Sequence, residues 1–262
     1  MKENVSGLGN AYAGSAAVAE NASTIFFNPA GMTQLKDREF SAGVAAIGPS
    51  FKFTDKGSSA GAFTTAGTGG DAGSWAAVPN AYMSWALNKD LYLGVGFSAP
   101  FGLKTEYSNP WVGSAQSNSF GVETYNLNPA VAFRANDAVS LGGGLSWQHI
   151  DATYKRLAAT VDFPGPAFGL PVGITVLTTQ SLVTAKLKGD AWGWNVGGLF
   201  KVSPNTKVGV SYRSTISHDT TGDINISGPG GITAAVNAAL STGGSCWVMC
   251  PGPAGEACPS WT

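Results

Sequence analysis

The chain has 262 residues, of which only 12% are charged, 11% are aromatic and 36 are glycine. Its formal net charge of −1 argues against the basic surface that a nucleic-acid partner requires. The composition is typical of a soluble β-sandwich, a fibrous protein or a membrane β-barrel. The sequence contains no run of about 18 apolar residues, so it predicts no helical membrane span. This absence does not exclude a membrane β-barrel, because each strand of a barrel turns only every second residue toward lipid.

The N-terminal segment, residues 1–38, is rich in Ala, Gly and Ser and shows no sustained period of two. Residues 1–5 carry no apolar run behind their charge, so they do not form a signal peptide. Either the protein is cytoplasmic or its true N-terminus is missing. Residues 11–22 are compatible with a short helix, and Asn28-Pro29 ends any helix there. We expect a compact, irregular domain over 1–38.

Residues 39–227 change to strict alternation of apolar with small or polar residues, which is the period of β-strands. One example, from the last such segment, sets Val208, Val210, Tyr212 and Ile216 against Gly209, Ser211, Arg213 and Thr215. We count seven such segments. The second face is mostly Gly, Ser, Thr and Asn, whereas a soluble sandwich exposes charged residues there.

The connections between these segments alternate in length. Outer-membrane barrels join their strands by short turns on the periplasmic side and longer loops outside, whereas soluble sandwiches follow no such rule. We therefore predict an all-β fold, a transmembrane antiparallel β-barrel. The short turns lie at 88–90, 135–137 and 203–205, and the long connections at 54–74, 100–117 and 157–181.

Catalytic and metal-binding motifs are absent from the sequence. The two histidines, His149 and His218, belong to no HExxH motif, and there is no phosphate-binding loop and no nucleophile elbow. A lipase embedded in the outer membrane needs a nucleophile beside a base, and no such pair stands out. We predict no enzyme activity, no metal site and no cofactor.

Several motifs now resemble one family, the FadL/TodX-type outer-membrane transporters of long-chain fatty acids and hydrocarbons. The resemblance implies a monomeric fourteen-stranded barrel in the bacterial outer membrane, surrounded by lipid, with an N-terminal hatch in its lumen. It also implies passive transport of long-chain fatty acids, aromatic hydrocarbons or other hydrophobic small molecules, with a lateral exit. The motifs are GLGNAYAG at 7–14, NPAGM at 28–32, PFGLKTEY at 100–107, NLNPAVAF at 126–133 and GVSYRS at 209–214.

The same resemblance implies a gate, formed where the third strand bends inward beside the hatch. The matching strand here is 90–99. Glycine permits a bend in a strand and proline removes a ladder donor, and the Asn28 amide offers a donor and an acceptor to the freed backbone groups. The alternative is that the two glycines only make room for the hatch. The predicted gate residues are Asn28, Pro29, Ala30, Gly94, Gly96 and Pro100.

Apolar cargo requires an apolar path, and the aromatic residues of the hatch and of the loop after the third strand are candidates for it. The alternative is that these side chains only pack the hatch against the wall. A carboxylate head group would require a cation or backbone donors; Lys104, Arg134 and Arg213 are possible partners. The predicted path residues are Phe26, Phe27, Met32, Phe101 and Leu103, with Ile25 beside them.

The last part of the chain, 228–262, breaks the pattern. It holds all three cysteines, Cys246, Cys250 and Cys258, and is predicted to be an aberrant or disordered tail of the kind that a frameshift produces. Seven strands cannot close at the radius of fourteen, and unpaired backbone groups are costly in lipid. We therefore expect this polypeptide alone neither to insert nor to transport. A structural barrel without cargo and a non-functional fragment remain alternatives to a transporter.

Overall fold

The computed structural model describes residues 6–58, 67–109, 111–160 and 179–227. The described chain begins with a 3₁₀ helix (Ser6–Asn10), a one-turn α-helix, α1 (Thr24–Phe27), and a second 3₁₀ helix (Pro29–Gln34). Nine strands follow within these ranges: β1 (Arg38–Ile47), β2 (Ala76–Ala86), β3 (Leu91–Ser98), β4 (Gly102–Glu106), β5 (Ser119–Arg134), β6 (Val139–Thr160), β7 (Thr179–Ser203), β8 (Thr206–Arg213) and β9 (Thr221–Ser227).

The nine strands form one antiparallel sheet with the order β1-β2-β3-β5-β6-β7-β8. The two remaining strands continue others after an interruption: β4 pairs with β5 beyond the end of β3, and β9 pairs with β7 beyond the end of β8. The sheet therefore has seven ladder positions, which agrees with the seven segments counted in the sequence. The predicted long connection 100–117 was wrong in part, because it contains β4.

Polar residues line one face of the sheet and apolar residues the other. In β5 the side chains of Thr124, Asn126 and Asn128 are buried, whereas Leu127 and Phe133 are exposed. A soluble protein buries its apolar residues, but a barrel turns them toward lipid and keeps a polar interior. The predicted fold class, a transmembrane antiparallel barrel wall, is confirmed.

The strands meet at short turns on one side and extend far on the other. The turns at 87–90, 135–138 and 204–205 agree with the three predicted short turns. In the opposite direction β6 has 22 residues and β7 has 25, whereas about 9–11 residues cross a membrane as a tilted strand. Both strands therefore continue well beyond the membrane on the side of the long connections.

The hatch packs on the polar inner face of the sheet, around a core that includes Ile25 and Met32 from the hatch and Tyr82 and Tyr92 from the wall. The predicted helix over 11–22 was wrong: this segment forms turns. Its backbone enters the left-handed region at Ala11 (φ 53°) and Tyr12 (φ 62°), which an α-helix cannot accommodate.

The predicted boundary between hatch and wall at residue 38 stays a prediction, with β1 beginning at Arg38. The predictions for residues 1–5 and for the tail 228–262 lie outside the described residues.

Candidate functional site

The wall is interrupted between β3 and β4. Ser98, the last residue of β3, pairs with Asn126, and Gly102, the first residue of β4, pairs with Glu123. Three residues, 99–101, therefore stand opposite two residues of β5. An extra residue of this kind is a β-bulge, which bends the strand that carries it. We call this interruption the first break.

The first break opens a gap in the wall. The ladder between β2 and β3 ends at the Asn80–Ser98 pair, and residues 76–79 of β2 continue to pair with β1. Among the described strands, β4 pairs with β5 and not with β2. The gap between β2 and β4 encloses about 390 Å³. Its apolar lining comprises Trp75, Val78, Pro79, Phe101, Leu103 and Val122.

The backbone groups freed at the first break bond to Thr124 of β5. The Phe101 N–H donates to Thr124 Oγ1 at 2.8 Å, and the Thr124 hydroxyl donates to the Phe101 carbonyl at 2.9 Å. The Thr124 N–H donates to the same carbonyl at 2.9 Å. A bend in the ladder must satisfy its polar groups internally when the wall faces lipid, and here Thr124 satisfies those of Phe101.

A second cavity, of about 210 Å³, lies on the inner face beside the hatch. We call it the inner cavity. Phe101 lines both the inner cavity and the gap, so this residue is shared by them. The inner cavity is lined by Phe26, Pro100, Phe101, Asn126, Gln148, Arg213, Ser214 and Ile216.

Arg213 brings a positive charge to the inner cavity, and its guanidinium is held in place. Its Nη2 donates to the Phe26 carbonyl at 2.8 Å, and its Nη1 donates to Ser146 Oγ at 3.0 Å. The Cζ atom lies 4.2 Å from the centre of the Phe26 ring, within the range of a cation–π contact. Arg213 thereby joins the hatch to the wall at the edge of the cavity.

Asn28 fastens the hatch to the wall at another strand, β7. Its fully buried side-chain Nδ2 donates to the carbonyls of Ala16 (2.7 Å) and Gly198 (3.0 Å), and its Oδ1 accepts from the Ala30 N–H (3.1 Å). A Cβ at Gly197 would come within 2.0 Å of Asn28 Oδ1, so only glycine permits this approach. Asn28 bonds to β7, and the freed groups of the first break bond to Thr124 instead.

The predicted path residues separate into four places. Phe26 and Phe101 line the inner cavity, and Leu103 lines the gap. Met32 is fully buried with Ile25 against the wall, as the packing alternative expects. Phe27 contacts the Tyr12 ring at 5.6 Å within the hatch, outside both the cavity and the gap. A role in a path stays a prediction for all of them.

The predicted gate residues also separate. Pro100 lies in the first break, while Gly94 and Gly96 lie in the paired part of β3. A Cβ at Gly94 would meet Met32 Sδ at 2.4 Å, which agrees with the alternative that this glycine makes room for the hatch. Pro29 and Ala30 pack against Gly142 of β6. The gate assignment stays a prediction.

Of the three candidate cations, only Arg213 lines the inner cavity. Arg134 donates to the carbonyl of Thr33 in the hatch, and Lys104 forms an ion pair with Glu106 at 2.9 Å on the exposed surface. Sequence reasoning missed Thr124, Gln148 and Ser214. It placed Ile216 in a strand, but β8 ends at Arg213 and Ile216 packs on Gly193 at the inner face.

The described residues contain neither a helical membrane span nor a cluster of metal ligands. No described helix is long and apolar enough to cross a membrane. No group of three or more His, Cys, Asp or Glu side chains in the described ranges is arranged to hold a metal ion.

Comparison with known proteins identifies the family. The family described as outer membrane protein transport protein (OMPP1/FadL/TodX) matches residues 1–254. The long-chain fatty acid transport protein of Escherichia coli O6:H1 is 32% identical over 232 residues, which cover 83% of this chain and 50% of that protein. The chain thus spans about half the length of the curated relatives it matches.

Two solved structures share the fold. A FadL homologue of Pseudomonas aeruginosa superposes with a TM-score of 0.66 at 22% identity, covering 92% of this chain and 57% of that one. The toluene transporter TbuX of Ralstonia pickettii gives a TM-score of 0.59 at 18% identity, covering 81% and 57%. These relatives are transport proteins by name, not enzymes. The chain belongs to the OMPP1/FadL/TodX family of outer membrane transport proteins, and the predicted family and outer-membrane localisation are confirmed.

Proposed function

We propose that this chain forms the hatch and part of the wall of an outer-membrane channel that passively admits hydrophobic small molecules. Long-chain fatty acids and aromatic hydrocarbons are the proposed cargo, and the protein is proposed to act as a monomer surrounded by outer-membrane lipid. One observation carries the proposal: an inner cavity beside the hatch adjoins an apolar gap in the wall, and Phe101 lines both.

The proposed route follows from this arrangement. Cargo enters the inner cavity from the outer side, passes Phe101 and leaves sideways through the gap between β2 and β4. Apolar side chains such as Val78 and Leu103 line the gap, and an apolar molecule that leaves through it passes into the surrounding lipid. Burial of apolar surface is favourable at about 25 cal/mol per Å². A passive route therefore needs neither a cofactor nor an energy source.

The lining of the inner cavity distinguishes transport from a barrel without cargo. A barrel with only a structural role is expected to keep a wholly polar, hydrated interior beside the hatch. Here the rings of Phe26 and Phe101 and the side chain of Ile216 reach the cavity. Apolar side chains in a site of this kind favour an apolar ligand over water.

Arg213 gives the inner cavity a preference among hydrophobic cargoes. Its guanidinium lies at the cavity wall beside the Phe26 ring. Guanidinium and carboxylate groups form charge-assisted hydrogen bonds, which are stronger than neutral ones. We therefore propose that the cavity accepts an acid with an apolar tail, the carboxylate at Arg213 and the tail along the phenylalanine rings.

The test is an uptake assay with the protein as encoded in its source genome, produced in a bacterium that lacks its own transporter for hydrophobic compounds. Labelled long-chain fatty acid and labelled toluene are compared, with labelled sucrose as the hydrophilic control. We expect saturable uptake of the fatty acid. Uptake of neither hydrophobic compound above that of the empty strain would contradict the proposal.

The variant Arg213→Gln tests whether Arg213 binds the carboxylate head group of the fatty acid. It should weaken fatty-acid uptake roughly ten-fold or more, the effect of one charged hydrogen bond, and leave toluene uptake much less changed. Arg213→Lys keeps the charge and should retain part of the fatty-acid uptake. An equal loss for both cargoes in Arg213→Gln would mean that Arg213 supports the hatch and does not recognise a carboxylate.

A further inference from the structure

The threonine at the first break contacts a single residue through three hydrogen bonds. Thr124 is only 3% exposed. Its hydroxyl accepts from the Phe101 N–H and donates to the Phe101 carbonyl, and its own N–H donates to that carbonyl as well. One hydroxyl can donate one proton and accept on two lone pairs, so both side-chain bonds are made at once.

The hydroxyl takes the place of a missing strand partner. In a regular ladder the N–H of Phe101 would bond to a neighbouring backbone, but the extra residue in 99–101 shifts it out of register with β5. A donor left without a partner in a buried site is destabilising. Because Thr124 satisfies both polar groups of Phe101, the backbone of Phe101 is held in one conformation.

The position of the Phe101 backbone decides where its ring lies. Phe101 lines both the inner cavity and the gap, and it is half exposed. A molecule that leaves the cavity through the gap must displace the ring or pass beside it. The inference rests on the proposed route, and it adds Thr124, which lines the gap but not the inner cavity.

We propose that Thr124 is a positioning residue that holds Phe101 as the barrier between the inner cavity and the gap. Loss of its hydroxyl frees the Phe101 backbone and lets the ring leave the barrier position more often. The passage step becomes faster, and the cavity itself, with Phe26 and Arg213, is unchanged. The effect should therefore fall on the maximal rate of uptake and not on the half-saturation concentration.

The experiment compares Thr124→Val, which removes the hydroxyl at nearly constant volume, with Thr124→Ser, which keeps it. Both are made in the protein as encoded, and saturation curves of fatty-acid uptake are recorded per folded barrel. The maximal rate in Thr124→Val should rise roughly five-fold, the population change that one ordinary hydrogen bond allows. Thr124→Ser should restore the wild-type rate. Equal rates in all three proteins would overturn the proposal, as would a change confined to half-saturation.

Two further measurements keep the inference testable. Phe101→Ala removes the barrier and leaves the threonine in place, so it should raise the maximal rate, and adding Thr124→Val to it should have no further effect. An additional rise in the double variant would show that Thr124 acts elsewhere.

Para-fluorophenylalanine at position 101 reports the ring directly, even where no uptake is measured. Its fluorine resonance should be single and narrow in the wild type and in Thr124→Ser, and shifted or split in Thr124→Val. An unchanged resonance would overturn the positioning role. Absence of uptake in the wild type, with the expected change in the resonance, would instead contradict the proposed function alone.

Discussion

Within the described residues the wall is interrupted twice, and residues of both interruptions line the inner cavity. At the first break, 99–101 separates β3 from β4, and β2 lies beyond it without pairing to β4. At the second break, 214–220 separates β8 from β9. The first break leaves an opening through the sheet. The second folds across the inner face, where Ile216 packs on Gly193 and His218 bonds to Gln148 at 2.8 Å.

At both breaks a side-chain hydroxyl bonds to the backbone. At the first break the hydroxyl belongs to the continuous strand, and at the second it belongs to the bent segment. Thr124 belongs to the continuous strand and bonds to the bent residue Phe101. Ser214 belongs to the bent segment, and its Oγ accepts from the Trp194 N–H of the continuous strand at 2.9 Å. We infer that the first break controls the exit from the inner cavity, whereas the second forms part of the cavity wall.

The largest expected effect comes from weakening the docking of the hatch against the wall. A Cβ at Gly142 would lie 2.4 Å from the Ala30 nitrogen, which is backbone and cannot yield, whereas a Cβ at the neighbouring Gly143 would meet only ordinary contacts at 3.6 Å and beyond. Gly142→Val should weaken hatch docking by about 1–3 kcal/mol, roughly five-fold to a hundred-fold. Gly143→Val is the matched control on the outer face.

The measurement is the sensitivity of cells to vancomycin, which is large and hydrophilic and crosses an intact outer membrane poorly. Cells with Gly142→Val should become sensitive because the barrel has lost its plug, and cells with Gly143→Val should resemble the wild type. Equal sensitivity of both variants would mean that the hatch does not seal the wall at Gly142.

A smaller effect is expected from Ser214→Ala at the second break. Loss of the bond to Trp194 should cost about 0.5–1.5 kcal/mol, which is roughly a two- to ten-fold change in equilibrium. Because Ser214 lines the inner cavity, this change should raise the half-saturation concentration of uptake and leave the maximal rate alone. Thr124→Val should instead raise the maximal rate and leave the half-saturation concentration unchanged. If Ser214→Ala changed the maximal rate instead, the two breaks would have the same role.

The smallest effect concerns the connection that leads into the gap, and it is seen only in strong acid. Hydrogen bonds from the Ser50 hydroxyl, and then from the Gly73 and Phe51 N–H groups, lower the pKa of Asp71 from 3.8 to about 2. Because the pKa of Asp71 is lowered on folding, its carboxylate stabilises the folded connection at pH values above the ordinary pKa of an aspartate. This contribution is lost as the pH falls through about 2.

Pepsin, which is active in acid, can follow this change. The connection between β1 and β2 in the wild type should become susceptible to cleavage only as the pH approaches about 2. Asp71→Asn should be susceptible throughout the acid range, because a neutral amide lacks the charge that these donors bind. A wild-type protein cleaved equally at every acid pH would contradict this role of Asp71.

The sequence allowed the wall to be predicted well where side-chain alternation alone determines the outcome. Leu127 and Phe133 face outward and Asn126 faces inward, as the period of two requires, and the short turns lie where Asn, Asp and Pro cluster. Such features depend on neighbours within one strand. The same alternation correctly placed Arg213 on the polar inner face of the sheet.

Features that depend on register between distant strands were not predictable. The bond between Phe101 and Thr124 requires both the extra residue of the bulge and the pairing of β4 with β5, and neither has a local sequence signal. Ile216 continues an alternating pattern and was assigned to a strand, but the chain leaves the ladder after Arg213. Glycines of β3 suggested a bend, although the observed break follows them, at Pro100.

The central claim is that cargo leaves through the gap, and covalent closure of the gap tests it most directly. Val78→Cys and Leu103→Cys line opposite sides of the gap and can be joined by a cleavable bismaleimide. Leu93→Cys and Val131→Cys, an exposed pair within a continuous ladder, form the control. The background carries Ser at Cys246, Cys250 and Cys258. Uptake should stop when the gap pair is joined, return when the linker is cut, and be unaffected in the control. Undiminished uptake with the gap pair fully joined would contradict the claim.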